Sequence, residues 1–271
     1  PASRTRALEK ARELPADAVI FDLEDAVAPE EKEGARATLA KALSTGGYGR
    51  RLKIVRINGL DTSWGAQDAR AAAETDADAI LLPKVNSAAD LDSLAGVSGG
   101  KPLWAMMETP MGMLNAAEIA AHRQLDGMVM GTNDLAKDIV ARYRADRLPL
   151  MSGLGLCLLA AKAHGRAIVD GVYNAFRDED GLKAECEQGR DMGFDGKTLI
   201  HPAQISVAND AFSPTPEDVD LAVRQIEAYE VAVANGEAVA VVDGRIVENL
   251  HVATARETLA KVKAIKSMNA E

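Results

Sequence analysis

Short, nearly continuous apolar runs alternate along the chain with longer stretches in which apolar residues return every three or four positions. The runs are Ala18–Leu23, Leu52–Ile57, Ala79–Pro83, Leu103–Met107, Gly127–Met130, Ala167–Asp170 and Gly196–Ile200. Apolar runs of this length, without polar alternation, predict strands buried on both faces, as in a parallel sheet. Helical periods cover Glu30–Leu43, Ala66–Thr75, Ala88–Leu94, Ala116–His122, Asp134–Tyr143, Gly153–His164 and Leu182–Met192. Such alternation predicts βαβ crossovers. Seven units are visible, and a (β/α)8 TIM barrel needs eight. The opening residues predict a helix over Arg4–Glu13 with no strand before it, so the first barrel strand is expected upstream of Pro1. No Gly-x-Gly-x-x-Gly turn follows the first run, which argues against a dinucleotide-binding sheet.

The tail has a different pattern. Pro216 suits the first turn of a helix over Glu217–Ala234, which Asn235–Gly236 ends. A small hairpin around Asp243–Gly244 and a last helix over Ala253–Lys266 follow. The expected organisation is α/β: a barrel over residues 1–213 and a helix–hairpin–helix appendage over 214–271.

Composition narrows the class of function. A net charge of −10 argues against a general nucleic-acid binder, which would present a basic surface. No apolar run reaches the roughly 18 residues needed to span a bilayer, so no membrane partner is expected. Cys157 and Cys186 form no metal-spaced pair and read as free thiols of a reduced, cytoplasmic setting.

The chemistry gathers at the strand exits, where a barrel of this kind builds its site. The first run ends in Glu24 and Asp25, the second in Arg56 and Asn58, the third in Lys84 and the fourth in Glu108. The fifth ends in Gly131, Thr132, Asn133 and Asp134, and the last in Ile200, His201 and Pro202. Two carboxylates from neighbouring strands, Glu108 and Asp134, suit Mg2+ or Mn2+, with substrate and water oxygens completing the shell. Arg56 offers a planar fork for a substrate carboxylate. Gly131 allows close backbone approach. The bland alternatives are helix-start acids for Glu24, Asp25, Glu108 and Asp134, and a structural ion pair for Arg56. The run Arg142–Arg147, "RYRADR", reads as a solvated basic face, with the phosphates of a ligand as the alternative partner.

The segments "AVIFDLEDAVAPEEKEGAR", "VRINGLDTSWGAQD", "LLPKV", "METPMGMLNAAEIA", "GTNDLAKD" and "GFDGKTLIHPAQI" occur in this order. Together they resemble the citrate lyase beta subunit / malyl-CoA lyase family over about residues 4–234. The resemblance implies a Mg2+-dependent TIM barrel acting on acyl-CoA thioesters and a small keto acid, assembled as a homotrimer or hexamer. It implies Glu108 and Asp134 as metal ligands and Arg56 as the keto-acid clamp. Glu24 and Asp25 would line the site. Lys197 and the Ile200–His201–Pro202 segment would lie towards CoA. One departure stands out: the family's hairpin carries a catalytic Asp where this chain has Glu248, which is the candidate acid–base group.

The expected reaction is carbon–carbon cleavage of a malyl-CoA-like or citramalyl-CoA-like thioester to acetyl-CoA plus glyoxylate or pyruvate. The alternatives are a citrate lyase beta subunit acting on an acyl-carrier-protein thioester, and a malyl-CoA thioesterase. From another class comes a protein that binds metal and keto acid without turnover.

Overall fold

The structure, a computed structural model, describes residues 1–269. Seven parallel strands follow one another in the sheet in sequence order. They are β1 (Ala18–Asp22), β2 (Leu52–Arg56), β3 (Ala79–Leu82), β4 (Leu103–Met107), β5 (Leu125–Met130), β6 (Ala167–Asp170) and β7 (Gly196–Lys197). Each strand pairs with its sequence neighbour, with at least one helix between each successive pair. That is the α/β order of a TIM barrel, open between β7 and β1 among the described residues. At the outer edge of β1, the amide of Ala2 donates to Asp22 O at 2.8 Å.

Residue parity decides what each strand does. Alternate residues of a strand face opposite sides. Ile54, Ala79, Leu81, Trp104, Met106 and Val129 pack into one buried cluster, flanked by Ile20, Leu52, Ala167 and Val169. The opposite parity, including Val55, Ile80, Leu103, Ala105 and Met128, is equally buried. Burial on both faces is why the runs read as continuous. Following the first parity outward, Ile20 leads to Asp22 and Glu24, Ile54 to Arg56, Met106 to Glu108, and Val129 to Gly131. One face of the sheet therefore delivers the polar groups to one rim.

Two sequence readings need correction. The helix expected over Asp134–Tyr143 runs instead over Thr132–Asp138. It stops because Val140 adopts φ +56°, outside any helix. The basic run does not form a solvated face throughout. Arg144 stays exposed and pairs with Asp146 at 2.6 Å, but Arg147 is 4% exposed. Its Nη1 donates to both carboxylate oxygens of Asp170, at 2.8 and 2.7 Å, and its Nε donates to Gln188 Oε1 at 2.7 Å.

A second compact unit begins at Phe212. It holds a helix over Pro216–Ala234, the hairpin β8 (Ala240–Val242) and β9 (Arg245–Val247), and a helix over Asn249–Asn269. Thr215 caps the first of these in a reciprocal box with Asp218. Ala232, Ala240, Val247 and Val252 form the unit's own small core. Among the described residues, no helix is long and apolar enough to cross a membrane.

Candidate active site

The rim above β1 to β5 is a connected ionic cluster. Arg56 stands directly across the β1–β2 ladder from Asp22 and holds it by two hydrogen bonds, Nε to Oδ1 at 2.7 Å and Nη2 to Oδ2 at 2.6 Å. Its Nη1 lies 2.9 Å from Glu24 Oε2 and 3.6 Å from Asp25 Oδ2. Glu24 Oε2 makes that ionic contact without an aligned hydrogen bond. Lys84 Nζ donates to Glu24 Oε1 at 2.6 Å and lies 3.9 Å from Glu108 Oε1, and the Lys84 amide donates to that same Glu108 oxygen at 2.8 Å. Lys84 thus links Glu24 and Glu108 with both its side chain and its backbone.

Each acid is tuned by its surroundings. Burial would raise the Asp22 carboxyl, but the Arg56 hydrogen bonds and charge, with the amides of Glu24 and Ala26, hold it below the usual carboxylate range. Glu24 goes the other way: burial raises it, and Arg56 and Lys84 only partly offset that. Glu108, 2% exposed, is pushed up to about 8, chiefly by burial and further by the charges of Glu24 and Asp134. Burial would lower the Arg56 pKa, but Asp22, then Glu24 and Asp25, hold it above its ordinary value.

Glycine decides how Glu108 fits. A Cβ on Gly131 would collide with the Glu108 side chain, including Oε2, so a residue with a side chain at 131 would displace the carboxylate. Asp134 follows in the first turn of its short helix, half-buried, and its charge is felt at Glu108. The rim gathers five carboxylates, Asp22, Glu24, Asp25, Glu108 and Asp134, against the cations of Arg56 and Lys84. A divalent cation between Glu108 and Asp134 would offset the excess and stabilise the ionised form of Glu108. The donor set fits a hard ion of the Mg2+ type that takes its remaining ligands from substrate and water. Among the described residues no group of three or more acidic, His or Cys side chains could hold a metal by itself.

The other sequence-predicted residues divide. Thr132 is buried against Gly171, and Asn133 exchanges side-chain hydrogen bonds with Asn174 at 3.1 and 2.7 Å, tying the β5 and β6 exits together. Ile200 and His201 are exposed, and their amides both donate to Gln204 Oε1, whose own amide donates to Tyr173 O. Pro202 opens the short 3-10 turn that carries Gln204. Those amides serve Gln204 and no strand, and β7, expected over Gly196–Ile200, covers only Gly196–Lys197. His201 stacks on Phe176 with ring centroids 4.6 Å apart. The Lys197 side chain is 0% exposed, and its Nζ donates to Glu185 at 2.6 Å, to Gly171 O at 2.5 Å and to Asp170 at 3.3 Å. The Lys197 ammonium is thus enclosed in the ionic network around Asp170. Glu248 belongs to the second unit, exposed at the start of its last helix, where its amide donates to His251 Nδ1.

Sequence reasoning assigns no definite role to two members of the cluster. Asp22 is one of the acids that end the first run, and its place opposite Arg56 shows what it holds. Lys84 is a rim charge equally open to a structural ion pair and to a ligand contact. Its left-handed backbone, φ +51°, aims its amide at Glu108, and nothing in "LLPKV" announces that.

Residues 1–202 match the family model described as HpcH/HpaI aldolase/citrate lyase. A (3S)-malyl-CoA thioesterase of Cereibacter sphaeroides (strain KD131 / KCTC 12085) is 66% identical over 270 residues, covering 100% of this chain and 95% of that protein. The citrate lyase subunit beta of Escherichia coli (strain K12) is 34% identical, over 92% of this chain and 86% of its own. Among solved structures, CitE of Mycobacterium tuberculosis in complex with magnesium, acetoacetate and coenzyme A superposes with a TM-score of 0.81 at 34% identity, covering 96% of this chain and 95% of that one. These relatives overturn the carbon–carbon lyase reading. The full-length relatives at 66% identity are thioesterases, and the citrate lyase subunits stand much further away. By family model, relatives and fold alike, the chain belongs to the HpcH/HpaI aldolase/citrate lyase family.

Proposed function

We propose that the chain is a Mg2+-dependent thioesterase that hydrolyses (3S)-malyl-CoA to malate and CoA. The observation that carries this reading is the 66% identity, over the whole chain, to proteins of that activity. In hydrolysis the oxygen of water joins the acyl carbon, the carbon–sulfur bond breaks, and the departing thiolate takes up a proton. Glu108 and Asp134 would hold the Mg2+, which supplies a Lewis acid for substrate oxygens. Asp22 holds the Nε side of Arg56 and leaves donors on Nη1 and Nη2 for the carboxylate of the malyl group. Glu24 and Asp25, beside that guanidinium, orient substrate and water. The exposed Ile200–His201 segment, with Pro202, faces CoA, and Gly131, Thr132 and Asn133 shape the backbone beneath the substrate. Glu248 of a neighbouring copy of the chain is the candidate acid–base group. The chain assembles as a homotrimer or hexamer, a reading supported by exposed apolar side chains of the first unit such as Leu114, Leu148 and Leu159.

A panel of hydroxyacyl-CoA thioesters assayed for both free thiol and keto acid tests the reaction. Free thiol and malate should appear in equal amounts from (3S)-malyl-CoA, without glyoxylate. Glyoxylate formed without free thiol would refute hydrolysis.

The Arg56→Lys variant should lose at least about tenfold in kcat/KM, equivalent to roughly 1.4 kcal/mol, because a point charge cannot hold Asp22 and a substrate carboxylate by a planar fork. Near-wild-type kinetics would return Arg56 to a structural role. Metal binding should follow pH as Glu108 dictates. With its pKa raised to about 8, Glu108 is protonated below that pH, and the metal must displace the proton. Mg2+ affinity should therefore rise about tenfold per pH unit between pH 6 and 7 and flatten above 8. Calorimetry in buffers of different ionisation heat should detect the released proton. A flat profile over that range would mean that Glu108 is already ionised.

A further inference from the structure

Beneath the acid rim lies a buried cation that the reaction as described does not use. Lys32, 6% exposed, opens the helix Lys32–Thr45 and points back under the β1 exit. Its Nζ donates to Leu23 O at 3.0 Å, to Glu24 O at 2.7 Å and to Asn58 Oδ1 at 2.8 Å, and lies 5.3 Å from the centre of the Trp64 ring. All three acceptors are neutral oxygens. A buried ammonium without a carboxylate is costly, so hydrophobic packing does not explain a lysine here. Its acceptors do. Leu23 O and Glu24 O lie where the main chain leaves the sheet and the strand ladder stops serving it.

The far side of the contact is as firmly held. Asn58 Nδ2 donates to Leu23 O at 2.8 Å and to Asp68 Oδ2 at 2.6 Å. Asp68, 0% exposed, also accepts from the Asn58 amide at 3.1 Å and from Arg36 Nε at 2.7 Å. Lys32 and Asn58 together fasten the exit of β1 to the exit of β2. Those exits carry Glu24 and Arg56.

We propose that Lys32 is a positioning residue: by gripping the Leu23 and Glu24 carbonyls and the Asn58 amide oxygen, it sets the Glu24 carboxylate between Arg56 and Lys84. From that backbone position Glu24 reaches Lys84 Nζ at 2.6 Å and Arg56 Nη1 at 2.9 Å together. Lys32 touches no substrate and acts through Glu24. The proposal deepens the thioesterase reading and rests on it for the kinetics, but not for binding.

A double-mutant cycle tests it on two readouts, hydrolysis of malyl-CoA and calorimetric binding of malate with Mg2+. Lys32→Met and Glu24→Gln should each weaken malate binding and kcat/KM by about tenfold, and the double variant should be no worse than Glu24→Gln alone. Losses that multiply, or a Lys32→Met variant that binds malate like the wild type, would overturn the proposal. If Lys32→Met does not fold, Lys32→Gln, which keeps a polar end but removes the three-donor ammonium, goes through the same cycle with the same two outcomes. A wild type that binds malate but hydrolyses no malyl-CoA would sink the thioesterase reading and leave the binding cycle to decide on Lys32.

Discussion

Asp134→Ala should lower Mg2+-dependent hydrolysis by at least about 100-fold while leaving the far-UV spectrum and the unfolding midpoint nearly unchanged. The size follows from the task assigned to the ion, since Lewis-acid stabilisation of developing charge is worth several kcal/mol. Selectivity follows from position. Asp134 sits half-buried in the first turn of a seven-residue helix, where alanine forfeits only the roughly 0.3–1 kcal/mol of an acid's attraction to the helix N-terminus. With one carboxylate gone, Glu108 alone faces the ion. Titration with Mg2+ should show weakened binding even where turnover is too low to measure. A variant with full Mg2+-dependent activity would remove Asp134 from the ligand set.

Asp170→Ala should be the most destabilising single change in the first unit, by about 3–5 kcal/mol. Asp170 is 0% exposed and receives Arg147 at both oxygens, Lys197 at 3.3 Å and the Gly171 amide at 2.7 Å. Its removal leaves two buried cations with one remaining carboxylate, Glu185, which lies 2.6 Å from Lys197 but 3.8 Å from Arg147. Urea unfolding is the measurement. A loss under about 1 kcal/mol would show that water enters the network and replaces the carboxylate. The loop that follows the Asp134 helix returns to the barrel through Arg147, so a partial loss should also loosen that loop and raise its amide exchange.

The strands were legible because both faces of the sheet are buried, which leaves apolar runs such as "AILL" at Ala79–Leu82 with no polar position to mislead. The rim acids and Arg56 were legible because each sits at the end of such a run. What was not legible depended on partners far along the chain. Arg147 looked solvated among "RYRADR", and its burial is decided by Asp170 and Gln188, 23 and 41 positions away. The early end of the Asp134 helix was hidden for a different reason. Apolar spacing continues past Asp138, but Val140 takes a left-handed conformation that a β-branched residue resists, and only the tertiary fold imposes it. The partners of Lys197 were equally hidden, because the β6–β7 register is what places it beside Asp170.

The left-handed Lys84 carries a consequence for tolerance to change. A non-glycine residue at φ +51° stores conformational strain, of order 1 kcal/mol or more, that the neighbouring contacts must overcome. Glycine at that position would relieve the strain and keep the amide aimed at Glu108, yet it would delete the ammonium that ties Glu108 to Glu24. Selection for thermal robustness alone would therefore drift towards a quieter backbone and a weaker rim. Position 84 is where this barrel sets backbone ease against the rim's ionic links, and a library screened only for heat resistance would lose those links there first.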